Sequence, residues 1–301
     1  MSKNKNTDRM KTEKDLAKLI EEIKRQGLET TDEINDFLKK IQGQNFNNLP
    51  ERTDKKGLSQ NLVYEAYEQS VTKGKKLAEQ ALKLDPDNAE AYNYLASVEK
   101  DIDKAILMFE KAIKAAEKTL GKRFFKEEKG HFWGLIETRP YMRAKAGLAD
   151  CLYAKKEVDK AIEIYEEMLE LNPYDNQGIR YLLSTLLLSK NDLIKFQQFV
   201  ENNEEEDCAV WNYNYALFQF KKNGLTTKSN KELLKAYKSN KYVIDYMLGI
   251  KKMPDKLPQY IRIGDENEAI SYVNEAWSIW DKTPGALDWL YEFKQKRLKM
   301  N

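Results

Sequence analysis

The chain has 301 residues and a net charge of only +2, from 51 Lys and Arg against 49 Asp and Glu; that length suits two average domains or one continuous repeat array. A single histidine, His131, and two cysteines, Cys151 and Cys208, exclude a Cys/His zinc cluster, a disulfide scaffold and any mechanism needing two imidazoles. Residues 1–60 carry 13 basic and 11 acidic residues, leaving 38 of each in 61–301, so the body lacks the basic footprint of a nucleic-acid binder.

At 41% hydrophobic and 33% charged, with seven Pro and 13 Gly, the composition suits a soluble helical protein rather than a turn-rich β protein. No apolar run is long enough to cross a membrane, and the first residues (MSKNKNTDRMKTEKD) lack the apolar core of a signal peptide. The expected setting is therefore a reduced cytoplasm, with no membrane or nucleic-acid partner.

In chain order, residues 1–11 are polar and basic and are expected to be disordered. Leu16, Leu19, Ile20 and Ile23 then share one helical face, which Gly27 ends. Thr30 and Thr31 before Asp32 and Glu33 form an N-cap, and Ile34, Phe37, Leu38 and Ile41 line a second helix. The stretch 43–57 (GQNFNNLPERTDKKG) has linker composition. From about residue 60 the pattern is units of two short helices. In LAEQALKLDPDNAEAYNYLA (77–96) and AIEIYEEMLELNPYDNQGIRYLL (161–183), a helix with small or aromatic residues at helical spacing meets an Asx-Pro break, and a new helix follows. Proline ends the first helix there, with Asp87 or Asp175 available to cap the second.

These units resemble the tetratricopeptide repeat, a helix-turn-helix array of roughly 34 residues per unit. Residues 142–175 fit best, with Leu148, Ala149 and Leu152 in the first helix and Ala161, Tyr165 and Pro173 in the second helix and terminal positions. The spacing of Leu95 and Ala105 is three residues shorter than that of Leu148 and Ala161, which implies a shortened first helix or turn. Residues 176–203 keep Leu182, Leu183 and Leu186 but place Lys195 where a small residue is usual. A further resemblance rests on GHFWGLIETRPYMRAKAGLA (130–149), NPYDNQGIRYLL (172–183) and a run from Tyr242 to Leu290 containing LPQYIRIGDENEAISYV and WSIWDKTPGALDWL. These segments are similar to a bacterial group of tetratricopeptide-like proteins related to the suppressor-of-tumorigenicity-seven family. The resemblance implies a helical-repeat protein without established enzymatic activity, and supplies no catalytic residues.

Candidate chemistry is sparse. Residues 118–139 interrupt the repeat and hold His131, Trp133, Glu137 and Arg139, a possible small-ligand or proton-transfer set; Phe124, Phe125, Phe132 and Trp133 alternatively pack back on the array. In the resembled family the first helix of each hairpin lines a concave groove, and by repeat position Asn93, Arg143, Gln177, Arg180, Ser184 and Tyr213 point into it. Arg143 and Arg180, two of nine arginines, would there meet amides and a phenol, a set suited to a carboxylate on an acidic peptide or chain terminus. The alternative is that they form internal ion pairs with Glu137, Asp150 or Asp175. Trp211, Tyr213, Tyr215, Trp277, Trp280 and Trp289 read as core, with Trp277 and Trp280 on one face and Pro284-Gly285 opening the last helix. The acidic run Glu204–Asp207 precedes a helix starting near Cys208, whose thiol it should make less acidic. Cys151 reads as a small core residue, and Lys294–Lys299 as a helix C-terminus.

The sequence thus predicts an all-α, right-handed solenoid of about six to seven helical hairpins with a helical C-terminal cap. Its segments are an N-terminal hairpin and linker (1–59), a tetratricopeptide-like array (60–240) and the cap (241–301). The expected function is a non-enzymatic protein–protein interaction scaffold without cofactor or metal, holding a peptide or helix in the groove. The alternatives are a self-associating structural protein, or a small-molecule site around His131, Trp133 and Glu137. The sequence leaves partner identity and oligomeric state open.

Overall fold

The computed structural model describes residues 3–43, 49–203, 206–258 and 260–299. Every regular element among them is helical; an isolated bridge between Phe132 and Leu135 is the one extended pairing described. The chain divides into two compact units, Met1–Asn176 and Gln177–Asn301.

In the first unit, α1 (Lys3–Gln26) and α2 (Thr31–Ile41) precede three helical hairpins. These are α3 (Lys55–Glu68) with α4 (Val71–Leu84), α5 (Ala89–Ser97) with α6 (Ile102–Glu127), and α7 (Arg139–Ala154) with α8 (Val158–Leu171). The first helices neighbour one another, α3 beside α5 and α5 beside α7, and α1 packs on α3. Residues 3–10 are therefore helical, against the expected disorder of 1–11, of which residues 1 and 2 lie outside the described residues. The reason is tertiary. Met10, 1% exposed, enters an apolar cluster with Val63, Tyr64, Tyr67 and Tyr94, a gain in buried area that a polar composition does not register.

Local signals hold where the chemistry is local. Thr30 and Glu33 form a reciprocal capping box at the start of α2. The linker is shorter than its composition suggests: Asp54 Oδ1 accepts from Gly57 N at 2.9 Å and caps α3 from Lys55 onward, while residues 44–48 of that stretch lie outside the described residues. After the Asp85-Pro86 break the cap on α5 is Asn88, whose Oδ1 accepts from Ala91 N at 3.0 Å, and not Asp87. Ahead of α9 stands Gly178 in a left-handed conformation. The shortened first helix is α5, nine residues against the 16 of α7.

Close packing in the best-fitting hairpin follows from its small residues. Ala149 and Ala161 are fully buried, Tyr165 fills the space beside them, and Leu148 is half-buried. At Gly147 an added Cβ would stand 2.3 Å from the Phe109 ring, so only glycine lets α7 approach α6 this closely. Gly121, with φ 78° and ψ 155°, breaks α6 and redirects its last turns. Phe124 and Phe125 thereby meet Phe132 and Tyr141 at ring-centre distances of 5.0–6.2 Å. Gly130 N and Phe132 N both donate to Leu171 O at 3.1 Å, tying the 118–139 segment to the end of α8.

The second unit contains α9 (Ile179–Ser189), α10 (Leu193–Glu201), α11 (Ala209–Asn223), α12 (Thr227–Ser239), α13 (Val243–Met247), α14 (Glu266–Asp281) and α15 (Ala286–Leu298). Helix α11 is central, packed by α9, α10, α12 and α14. Its core is aromatic and hydrogen-bonded: Trp280 Nε1 donates to Tyr272 Oη at 2.8 Å, and Tyr272 Oη donates to Asn214 Oδ1 at 3.0 Å. Trp280 and Trp289 are buried and stacked, whereas Trp277 is 44% exposed. Trp277 and Trp280 thus do not share a buried face; three residues turn a helix by about 300°, and the core takes only the second ring. Consecutive helices pack in pairs here too, α9 with α10, α11 with α12 and α14 with α15.

Candidate functional site

Arg143, on the second turn of α7, is the centre of the most developed polar cluster in the first unit. Its Nε and Nη2 both donate to Glu90 Oε2, at 2.9 and 2.7 Å, and its Nη1 donates to Glu13 Oε1 at 2.8 Å. Glu90 is 1% and Glu13 3% exposed. Tyr67 Oη donates to Glu90 Oε1 at 2.7 Å, and Asn93 Nδ2 donates to Glu90 Oε2 at 3.2 Å and Pro140 O at 2.8 Å. Arg139 Nη1 stands 3.6 Å from Glu13 Oε1.

Electrostatics explain why so many charges share one buried place. Burial alone would make the Arg143 guanidinium more acidic, but the carboxylates of Glu90 and Glu13 outweigh it and hold its proton more tightly than usual. Arg9 goes the other way, lowered by burial and then by repulsion from Arg143. Burial and the Glu90 charge push the Tyr67 phenol well above the ordinary range. A guanidinium in such surroundings requires countercharge. Glu90, from the repeat array, takes two of the Arg143 donors; the third is taken by a carboxylate that α1 brings from 130 residues away in sequence.

The remainder of α1 is held by its charged rim. Thr7 Oγ1 donates to Tyr67 O at 3.0 Å, Lys18 pairs with Glu51 at 2.8 Å, and Lys24 with Glu137 at 3.5 Å. Leu16, Leu19, Ile20 and Ile23, the predicted apolar face, are only half-buried. Beside them lies a cavity of about 570 Å³ whose apolar wall includes Ala17, Ile20, Leu120, Phe124, Leu135 and Ile136.

The six predicted groove residues divide between the units. Asn93 and Arg143 belong to the first, and Gln177, Arg180, Ser184 and Tyr213 to the second. Arg180 Nη1 donates to Glu206 Oε1 at 2.8 Å, and Tyr181 Oη donates to the other oxygen of that carboxylate. Ser184 Oγ and Thr185 Oγ1 accept from Asn214 Nδ2 at 2.9 and 3.0 Å, and Tyr213 Oη donates to Asn240 O at 2.9 Å. Asn93, Ser184 and Tyr213 are buried, and Gln177 is half-buried. Both arginines thus meet carboxylates of this chain, Arg143 those of Glu13 and Glu90 and Arg180 that of Glu206, while Glu137 pairs with Lys24 and Asp150 accepts from Tyr165 Oη.

The 131–139 residues turn to separate partners. His131 is exposed, Glu137 pairs with Lys24, and the Arg139 guanidinium lies 5.7 Å from the Trp133 ring centre while its Nε donates to Trp133 O at 3.0 Å. No group of three or more His, Cys, Asp or Glu among the described residues is placed to hold a metal ion. The Cys208 thiol is pushed up to about 11, by burial first and by Glu268 and Glu206 after it. Cys151 is half-buried, and burial raises it too. Of the acidic run, Glu204 and Glu205 lie outside the described residues; Asp207 accepts from Asn212 Nδ2 at 2.9 Å. Lys294 pairs with Asp245, which fixes part of the basic C-terminal run within the second unit.

Sequence reasoning passed over Glu13 and Glu90. Glu13 stands in a charged segment that reads as solvated, and Glu90 in the first turn of α5, where an acid is explained by the helix dipole alone. Comparison with known proteins bears on the scaffold that holds them. Residues 66–124 and 129–176 match the family model of the tetratricopeptide repeat, just over a third of the chain. A search of curated proteins finds no match to the chain.

Proposed function

We propose that the tetratricopeptide repeats within 66–176 serve a non-enzymatic scaffold that holds a helix or peptide of a protein partner through a carboxylate. Repeats of this family typically mediate protein–protein interaction. The observation that carries the reading is the seating of α1: an amphipathic helix lies on the first unit with its Glu13 carboxylate on Arg143. Asn93 orients Glu90 behind that guanidinium. Arg180 offers a second, independent anchor in the other unit, with Gln177, Ser184 and Tyr213 shaping its surroundings. The bacterial, cytoplasmic setting and the group related to the suppressor-of-tumorigenicity-seven family belong to the same proposal. They rest on the resemblance of 130–149, 172–183 and 242–290; in addition, no helix among the described residues is long and apolar enough to cross a membrane.

The test is affinity capture from native lysate with mass spectrometry, using wild-type, Arg143→Gln and Arg180→Gln chains of matched circular dichroism. A partner lost selectively with one arginine supports the scaffold and identifies the unit that binds. Light scattering that shows a stable dimer, with no captured partner, would replace it with self-association.

A further inference from the structure

We propose that the α1 seat is an exchangeable helix-binding site whose ligand in trans is an amphipathic helix, with α1 as the built-in competitor. This rests on the scaffold reading above and specifies its ligand and its control. The footprint of α1 defines the chemistry: an apolar side chain at the position of Met10, a glutamate three residues later and a lysine five residues after that. Met10 fills the cluster of Val63, Tyr64, Tyr67 and Tyr94, Glu13 takes the outward donor of Arg143, and Lys18 reaches Glu51. Glu51 stays with the array, since Asn61 Nδ2 of α3 donates to it at 2.9 Å.

Three observations make α1 a replaceable occupant. Its hold on the array is largely charged, and a buried ion pair fixes register and partner choice while roughly breaking even against desolvation. The helix that follows it adds little: of the described α2 side chains only Phe37 is buried. Its fit is also incomplete. The second half of α1 leans over the cavity of about 570 Å³, with Ala17 and Ile20 on one wall facing Leu120, Phe124, Leu135 and Ile136 among the other lining residues. A helix with larger apolar side chains at those two positions would bury surface that α1 leaves open, and would displace it. Release of α1 thus gates binding, and the better-filled helix wins.

The probe is a fluorescein-labelled peptide of residues 3–27, titrated by anisotropy into the full chain. Met10→Asp with Glu13→Lys in the chain disables the internal helix and leaves the seat untouched. The labelled peptide should bind that variant at least tenfold more tightly than wild type. A Glu13→Lys peptide should lose at least tenfold of that affinity, and an Ala17→Leu peptide should gain. Should the double variant lose its helical circular dichroism, Glu13→Gln alone carries the test, and the peptide must still prefer it to wild type. Equal binding to wild type and variant, or no binding to a folded variant, overturns the proposal. A partner captured equally by wild-type and α1-disabled chains would leave the scaffold reading standing and overturn the gate.

Discussion

At the scale of the residue, Arg143 is both the best candidate anchor and a structural charge, and the two roles have different signatures. Removing it strands the buried carboxylates of Glu13 and Glu90, a loss of about 3–5 kcal/mol for a broken buried pair. Arg143→Ala should therefore lower the stability measured by urea unfolding by about that amount. The Arg180–Glu206 pair should contribute only about 1 kcal/mol, because Glu206 is 30% exposed and water screens the pair. A near-silent Arg143→Ala would show that the cluster is not formed in solution. The two cysteines give a second residue-level check. Cys208 is buried with its thiol pushed up to about 11, whereas Cys151 is half-buried, so at pH 8 a disulfide reagent should label Cys151 first and reach Cys208 at the rate of unfolding. Equal labelling rates would contradict that ranking.

Among the elements, the α6–α7 contact depends on one missing methyl group. Gly147→Ala places a Cβ 2.3 Å from the Phe109 ring, an overpacking that costs about 1–3 kcal/mol. The melting temperature should fall accordingly and recover when Phe109→Leu is added, since the smaller side chain returns the space. Lack of recovery would mean that the backbone, and not the ring, takes the strain. The hairpins also show what was legible at this scale. The Asp85-Pro86 and Asn172-Pro173 breaks mark helix ends because proline is disfavoured inside a helix whatever surrounds it. The Thr30–Glu33 box is readable because both partners sit within one turn. Helix α1 begins earlier than its pattern suggests, because Met10 is ordered by Tyr64, Tyr67 and Tyr94, residues more than 50 positions away.

The whole chain forms two compact units, and in each the buried tyrosines give it an alkaline limit. Tyr67 in the first unit, and Tyr213 and Tyr272 in the second, are raised above the ordinary value of 10.0, in each case first by burial. The folded chain keeps protons that the unfolded chain releases near pH 10. The stability they contribute is complete below that pH and is lost as pH rises from there through the raised folded values. Each unit of separation is worth about 1.4 kcal/mol. The melting temperature should stay level from about pH 7 to 9 with respect to these groups and fall steeply above 10. Tyrosinate absorbance from the buried rings should appear together with unfolding; smooth titration of all tyrosines in a folded chain would count against this account.

The sequence by itself determined the class of the molecule: helical, built of hairpins with tetratricopeptide character, and poor in the cysteines and histidines that a Cys/His zinc cluster or two-imidazole chemistry needs. Those properties follow from composition and from spacings of three and four residues, which act within a helix or across one turn. It also marked Arg143, one of only nine arginines, because its repeat position in the resembled family faces the groove. Only the tertiary structure decided what Arg143 meets. Glu13 and Glu90 lie 130 and 53 positions away, and nothing local distinguishes them from surface acids. Their role arises when α1, α5 and α7 come together and the guanidinium loses its water. Burial turns an ordinary charge into one that requires a particular partner, and burial is a property of the folded whole.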